Sequence, residues 1–205
     1  GIDAKTIREV ARLYATSKGS MIFWGMGISQ HVHGTDNARC LIALALSTGQ
    51  IGKPGSGLHP LRGQNNVQGA SDSGLIPMFY PDYQRVGTPE ARQRFEKLWH
   101  MNLHPDTGLT VVEIMNAARK RQIRGMYVMG ENPAMSDPDV DHAREALAAL
   151  DHLVVQDIFL TETAYLPDVV LPPTAWPEKI GTVTNTDRMV QLGRKAIEPP
   201  GDARP

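Results

Sequence analysis

Apolar positions recur at two different spacings along the chain, and the alternation between them predicts a mixed α/β protein. Ile7, Val10, Ala11 and Tyr14 fall at helical spacing behind Asp3, a capping residue, and the pattern stops at Gly19. Ser20-Met-Ile-Phe-Trp24 reads as a short buried strand that ends in Gly25-Met-Gly27. From about Thr35 a second helix follows, with Ala38, Leu41, Ile42, Ala45 and Leu46 as a broad apolar face up to Gly49. Helix, strand, glycine turn, helix is the order that builds a parallel sheet with helices packed on it.

Between Gly52 and Pro81 the periodicity vanishes. Six glycines and several prolines fall in this stretch, which reads as one long functional loop and a place for one lobe to pass to another. The α/β order then resumes. Thr88-Pro89 opens a helix with Ala91, Phe95, Leu98 and Trp99 facing inward, and Thr110-Val-Val-Glu113 is a capping box before Val111, Ile114, Met115 and Ala118. Met126 to Met129 is a strand running into Gly130-Glu-Asn-Pro133. A helix spans about 139 to 150, a strand runs from Leu153 to Val155, and Asp168-Val-Val-Leu171 is a further strand stopped by Pro172-Pro173. The last thirty or so residues read as irregular or short-stranded.

Composition narrows the function classes. Lys plus Arg is 21 against 22 Asp plus Glu, a net charge of −1 over 205 residues, so no electrostatic case exists for nucleic acid or an anionic membrane as partner. The longest apolar run, Cys40 to Leu46, is far short of the ~20 residues that cross a bilayer. A single cysteine excludes an internal disulfide and any all-cysteine metal or iron–sulfur site built from these residues alone. Cys40 itself lies in a helical apolar pattern and reads as a buried, inert thiol.

Candidate chemistry gathers where strands end. In open parallel sheets ligands bind outside the carboxyl ends of strands, and three such ends are polar or glycine-rich: Gly25-Met-Gly27, Gly130-Glu-Asn-Pro133 and Gln156-Asp157. Each glycine taken singly serves a tight turn equally well. Gly25-x-Gly27 has Gln30 where a third glycine would complete a dinucleotide fingerprint, so that motif is incomplete. Leu61-Arg-Gly-Gln-Asn-Asn-Val-Gln-Gly69 is denser in chemistry. It sets one guanidinium, Arg62, among four side-chain amides, suited to a small oxyanion or a polar heterocycle. His31, His33, His100 and His104 lack the cysteine or carboxylate that would complete a metal-ligand set, and no metal ligands are assigned.

Those motifs carry a resemblance. Leu61-Arg-Gly-Gln-Asn-Asn-Val-Gln-Gly-Ala70, together with Gly25-Met-Gly27, Gly130-Glu-Asn-Pro133, Val155-Gln-Asp-Ile-Phe159, Thr161-Glu-Thr-Ala164, Asp168-Val-Val-Leu-Pro172 and Gly181-Thr-Val-Thr-Asn185, resembles the catalytic (alpha) subunit of molybdenum- or tungsten-dependent formate dehydrogenases. These belong to the molybdopterin oxidoreductase superfamily. The resemblance covers essentially the whole chain, in order, as an internal fragment of a longer subunit.

What the resemblance implies is an α/β fold of two Rossmann-like lobes, each three layers (αβα) with mostly parallel sheets, plus an irregular C-terminal segment. Residues 1–64 would end one domain and carry the active-site loop, 65–173 would form a second, cofactor-binding domain, and 174–205 would begin a further one. The implied cofactor is molybdenum or tungsten bis(molybdopterin guanine dinucleotide), with a [4Fe-4S] cluster in an N-terminal region outside this sequence. Arg62 matches the arginine that holds formate. Met26, Gln30, Gln64, Asn132, Ser136, Leu153, Gln156 and Pro173 match cofactor contacts, although Leu153 and Pro173 could offer only backbone groups or packing. Implied partners are formate, the rest of the alpha subunit and electron-transfer subunits, with no nucleic acid and no direct membrane insertion. Localisation stays open between cytoplasm and periplasm, the cytoplasm favoured. Lys179-Ile180 departs from the acidic residue usual before Gly181, and residues 1–205 alone are expected to lack formate dehydrogenase activity. Another molybdopterin enzyme, such as a nitrate reductase, and a non-catalytic nucleotide-binding module are the alternative readings.

Overall fold

A computed structural model describes all residues 1–205, which divide by proximity into two units, Gly1–Val67 and Gln68–Pro205. In the first unit, α1 (Ala4–Thr16) starts where Asp3 accepts a hydrogen bond from the Thr6 amide at 2.9 Å. It leads to β1 (Met21–Trp24), the single-turn α2 (Met26–Ser29), α3 (Gly34–Ser47) and β2 (Gly57–Pro60). β1 and β2 pair in parallel, Met21 opposite Gly57 and Trp24 opposite Pro60, so both strands end on the same side.

The tie between these pieces is Gln50, wholly buried just after α3. Its Oε1 accepts from the Ser20 amide at 3.1 Å, and its Nε2 donates to the carbonyls of Tyr14 at 3.1 Å and Ser17 at 2.9 Å. One amide thus satisfies groups at the end of α1 and the start of β1 that the turn would otherwise strand.

The second unit opens with α4 (Val67–Asp72), whose first residue belongs to the first unit, and the short antiparallel pair β3 (Phe79–Tyr80) and β4 (Gln84–Arg85). α5 (Pro89–Trp99) packs Phe95 against Tyr80, ring centroids 4.8 Å apart. α6 (Val111–Arg119) carries the expected capping box, Thr110 with Glu113. β5 (Gly125–Met129), α7 (Pro133–Ser136), α8 (Val140–Ala148), β6 (His152–Gln156) and β7 (Val169–Leu171) follow. β5, β6 and β7 form a parallel sheet in that order, so their carboxyl ends again share one side. Beneath it Met115, Ala118, Val128, Ala134, Ala146, Leu147, Leu153, Val155 and Ala164 form the core. The chain closes with an antiparallel hairpin, β8 (Gly181–Thr184) and β9 (Val190–Gly193). The fold is mixed α/β with mostly parallel pairing, as expected.

Several local expectations are corrected. The stretch from Gly52 to Pro81 is not one loop, because β2, α4 and β3 interrupt it. Cys40 is exposed, on the outer side of α3, not buried. β1 is only half covered, with Met21 and Phe23 exposed. Leu98 and Trp99 are also largely open. The hydrophobic spacing in these segments is real, but spacing marks a face without supplying what covers it.

Candidate functional site

Each unit presents a polar rim at the carboxyl ends of its parallel strands. In the first, the Leu61 amide donates to the Trp24 carbonyl at 2.8 Å, which carries the β1–β2 pairing one step further and delivers Arg62 next. Arg62 and Gln64 are exposed, and the Arg62 guanidinium has no carboxylate partner in the chain. Between them, Gly63 leaves room for the Met26 methyl, which lies 3.3 Å from where a Cβ at 63 would sit. The loop after β2 and the turn after β1 are therefore in contact. Gln30 closes that turn through its amide, which donates to the Met26 carbonyl at 2.8 Å, and leaves its side chain outside.

Gly25 and Gly27 matter for what surrounds them. Neither has a positive φ, and no atom lies within 4 Å of the Cβ either would carry. Neither backbone strain nor crowding by the chain requires glycine there. Both positions border open space, so the backbone there is left bare to anything that approaches the end of β1.

The second rim is built on β5, β6 and β7. The Gly130 amide, at φ +65°, donates to the Gln156 carbonyl at 2.8 Å and joins the ends of β5 and β6. The Gln156 side-chain oxygen accepts from the Tyr127 hydroxyl, leaving its Nε2 donor outward. Asn132 is fully engaged on one side: Oδ1 accepts from the Thr163 amide at 3.1 Å and hydroxyl at 2.8 Å, while Nδ2 donates to Glu162 at 2.7 Å. That bond from Asn132 holds the Glu162 carboxyl below its usual range. Ser136 donates to the Asn132 carbonyl at 3.1 Å and is exposed, and burial pushes the neighbouring Asp137 carboxyl up. Pro173, half-buried, is clasped by the C-terminal segment: the Thr174 amide donates to the Arg204 carbonyl at 3.0 Å and the Arg204 amide to that of Pro172 at 3.2 Å.

Of the nine residues expected at the site, Met26, Gln30, Arg62 and Gln64 lie together on the first rim, and Asn132, Ser136, Gln156 and Pro173 lie on or beside the second. Leu153 is different. It is the second residue of β6, 2% exposed, with its amide donating to the Asp168 carboxylate at 2.8 Å and its carbonyl accepting from the Asp168 amide at 2.9 Å. The structure places it in the core that supports the rim. Tyr127, Glu162 and Thr163, to which sequence reasoning gave no site role of their own, prove to orient Gln156 and Asn132. No group of three or more His, Cys, Asp or Glu side chains is close enough to hold a metal ion.

The sequence profile of the molybdopterin oxidoreductase family matches residues 7–205. The chain belongs to that family. Among relatives of this molybdopterin oxidoreductase, the F420-dependent formate dehydrogenase subunit alpha of Methanocaldococcus jannaschii is 52% identical over 203 residues, covering 99% of this chain and 30% of that protein. Formate dehydrogenase H of Escherichia coli is 43% identical over 205 residues, covering 100% and 29%. Among solved structures, acetylene hydratase from Pelobacter acetylenicus superposes with a TM-score of 0.66 at 20% identity, over 99% of this chain and 30% of that one, which shows the shared fold. The chain thus spans about 30% of the length of the curated relatives it matches.

Membership implies a molybdenum or tungsten pterin cofactor, and each rim, taken by itself, carries groups that suit parts of one. The free Nε2 of Gln156, the exposed amides of Gln30 and Gln64 and the Ser136 hydroxyl are neutral donors and acceptors suited to pterin, guanine and ribose edges. The unfilled space over Gly25 and Gly27 admits a large group against the backbone.

Proposed function

We propose that this chain is part of the catalytic subunit of a formate dehydrogenase holding molybdenum or tungsten bis(molybdopterin guanine dinucleotide). The observation that carries this reading is Arg62, an exposed guanidinium without an internal carboxylate, held at a strand end beside Met26 and Gln64. A rigid, permanently charged fork matches a carboxylate through two parallel N–H donors, and formate is the smallest carboxylate. In that grip both formate oxygens face Arg62 and the C–H bond points away from it. Formate then yields carbon dioxide, one proton and two electrons. When bound, the metal cofactor supplies the two-electron acceptor, and iron–sulfur clusters elsewhere in the subunit and its electron-transfer partners carry the electrons on.

This chain's own residues bind and orient. On the first unit, Met26, Gln30 and Gln64 would hold pterin cofactor groups at its rim. On the second unit, Ser136 and Gln156 would contact such groups at theirs, while Asn132 and Pro173 shape the loops there and Leu153 anchors β6 beneath. The alternative of a nitrate reductase is separable by substrate. In the complete subunit, purified anaerobically, formate should reduce a viologen dye. Arg62→Ala should lower kcat/KM for formate on the order of 100-fold with metal content unchanged. Nitrate reduction without formate oxidation would overturn the substrate and keep the cofactor.

A further inference from the structure

We infer that Thr163 is a positioning residue for the cofactor-binding rim of the second unit, acting through Asn132 and the loop from Gly130 to Ser136. The inference rests on the functional reading above. Thr163 has no exposed surface and sits on the turn after β6, about 30 residues from the loop it holds. Its hydroxyl does two things at once. It donates to Asn132 Oδ1 at 2.8 Å and accepts from the Ala134 amide at 3.0 Å, itself in a residue only 1% exposed.

The direction of each bond is forced. The Ala134 amide can only donate, so the Thr163 hydroxyl must accept there and direct its proton to Asn132. The Thr163 amide also can only donate, at 3.1 Å, so the oxygen of the Asn132 side chain must face residue 163. That fixes the amide flip: Nδ2 turns to Glu162, at 2.7 Å. With both lone pairs of Oδ1 occupied and Nδ2 given to Glu162, the Asn132 side chain cannot rotate toward a ligand without breaking three bonds. Its backbone carbonyl is left to receive the Ser136 hydroxyl at 3.1 Å and the Ser136 amide at 2.9 Å. One buried hydroxyl therefore ties two points of the loop that carries Ser136, the Asn132 side chain and the Ala134 amide, to the turn after β6.

Valine has the shape of threonine without the hydroxyl. Thr163→Val leaves the Ala134 amide buried and unpaired and takes one of two donors from Asn132 Oδ1. Thr163→Ser keeps both bonds. The test uses the complete subunit, with metal content and acid-released guanine nucleotide measured before and after gel filtration, and hydrogen exchange followed by mass spectrometry. The wild type and Thr163→Ser should retain both groups, while Thr163→Val should retain at least fivefold less. Exchange should quicken at residues 130–136 in the valine variant while the amides of Val128 and Val155 keep wild-type rates. Full retention in the valine variant, or failure of serine to rescue, overturns the proposal. So does exchange that quickens across the whole β5–β6–β7 sheet, which marks a general structural role. If the valine variant is insoluble, Thr163→Ala is put through the same measurements, and insolubility of both also overturns it. A wild-type subunit without metal and guanine nucleotide overturns the functional reading, and this inference with it.

Discussion

At the scale of single residues, Gln50 shows how a polar side chain can hold apolar architecture together. Its amide meets one donor and three acceptors around the α1–β1 connection, and the residue is fully buried. Gln50→Leu keeps the volume and abandons those groups in the interior, so it should lower stability by about 3 kcal/mol, read by urea unfolding. A loss under 1 kcal/mol would mean that the connection rearranges to find other partners. Nothing in the sequence marks Gln50 as buried, since its partners Tyr14, Ser17 and Ser20 lie 30 to 36 residues upstream. Asn132 and Gln156 were legible as amides at strand ends. Their keepers were not: Thr163 is 31 positions from Asn132 and Tyr127 is 29 from Gln156, separations across which no local pattern runs.

At the scale of elements, the ends that were legible are those with local causes. Asp3 before α1 and the Thr110–Glu113 box before α6 form within four residues, so their chemistry is written in adjacent positions. β2 and α4 escaped notice because each is short and lies among glycines and prolines, where periodicity cannot develop. Along α1 the spacing is regular, yet Ile7 and Val10 stand exposed, because what covers a helix face is not local. Asp151 illustrates a link between elements: Arg121 and Arg124, within the α6–β5 connection, both bond its carboxylate just before β6. The hydrogen bond from Arg124, above all, holds that carboxyl below the usual aspartate range. A group depressed in the folded state stabilises fully above its unfolded value, near pH 4, and loses that contribution as pH falls through the folded value beneath it. The stability gap between wild type and Asp151→Asn should therefore be level from neutral pH to about pH 4 and narrow below it. Melting curves across that range check it, and a gap that widened in acid would overturn the assignment.

At the scale of the whole molecule, the described residues leave large apolar side chains uncovered. Ile7, Val10 and Leu13 lie open along α1, Val169, Val170 and Leu171 along the edge strand β7, and Phe159 on the loop after β6. Open apolar faces of this extent are unusual on a self-sufficient monomer. A polypeptide of residues 1–205 should self-associate as its concentration rises, seen by sedimentation velocity. Ile7→Lys combined with Leu13→Lys should reduce that association, and a monodisperse wild-type monomer at high concentration would contradict the prediction. No helix is long and apolar enough to cross a membrane.

The pairing of β1 with β2 sets a timetable for folding. Met21 must find Gly57 across roughly 36 residues, whereas Thr184 meets Val190 across roughly 6, and loop-closure entropy separates the two by about 1.6 kcal/mol. Parallel strands have no short route to each other, so chain entropy delays the sheet that carries Arg62 and favours the C-terminal hairpin. Among the paired strands described, β1 therefore waits on the longest stretch of chain for its partner.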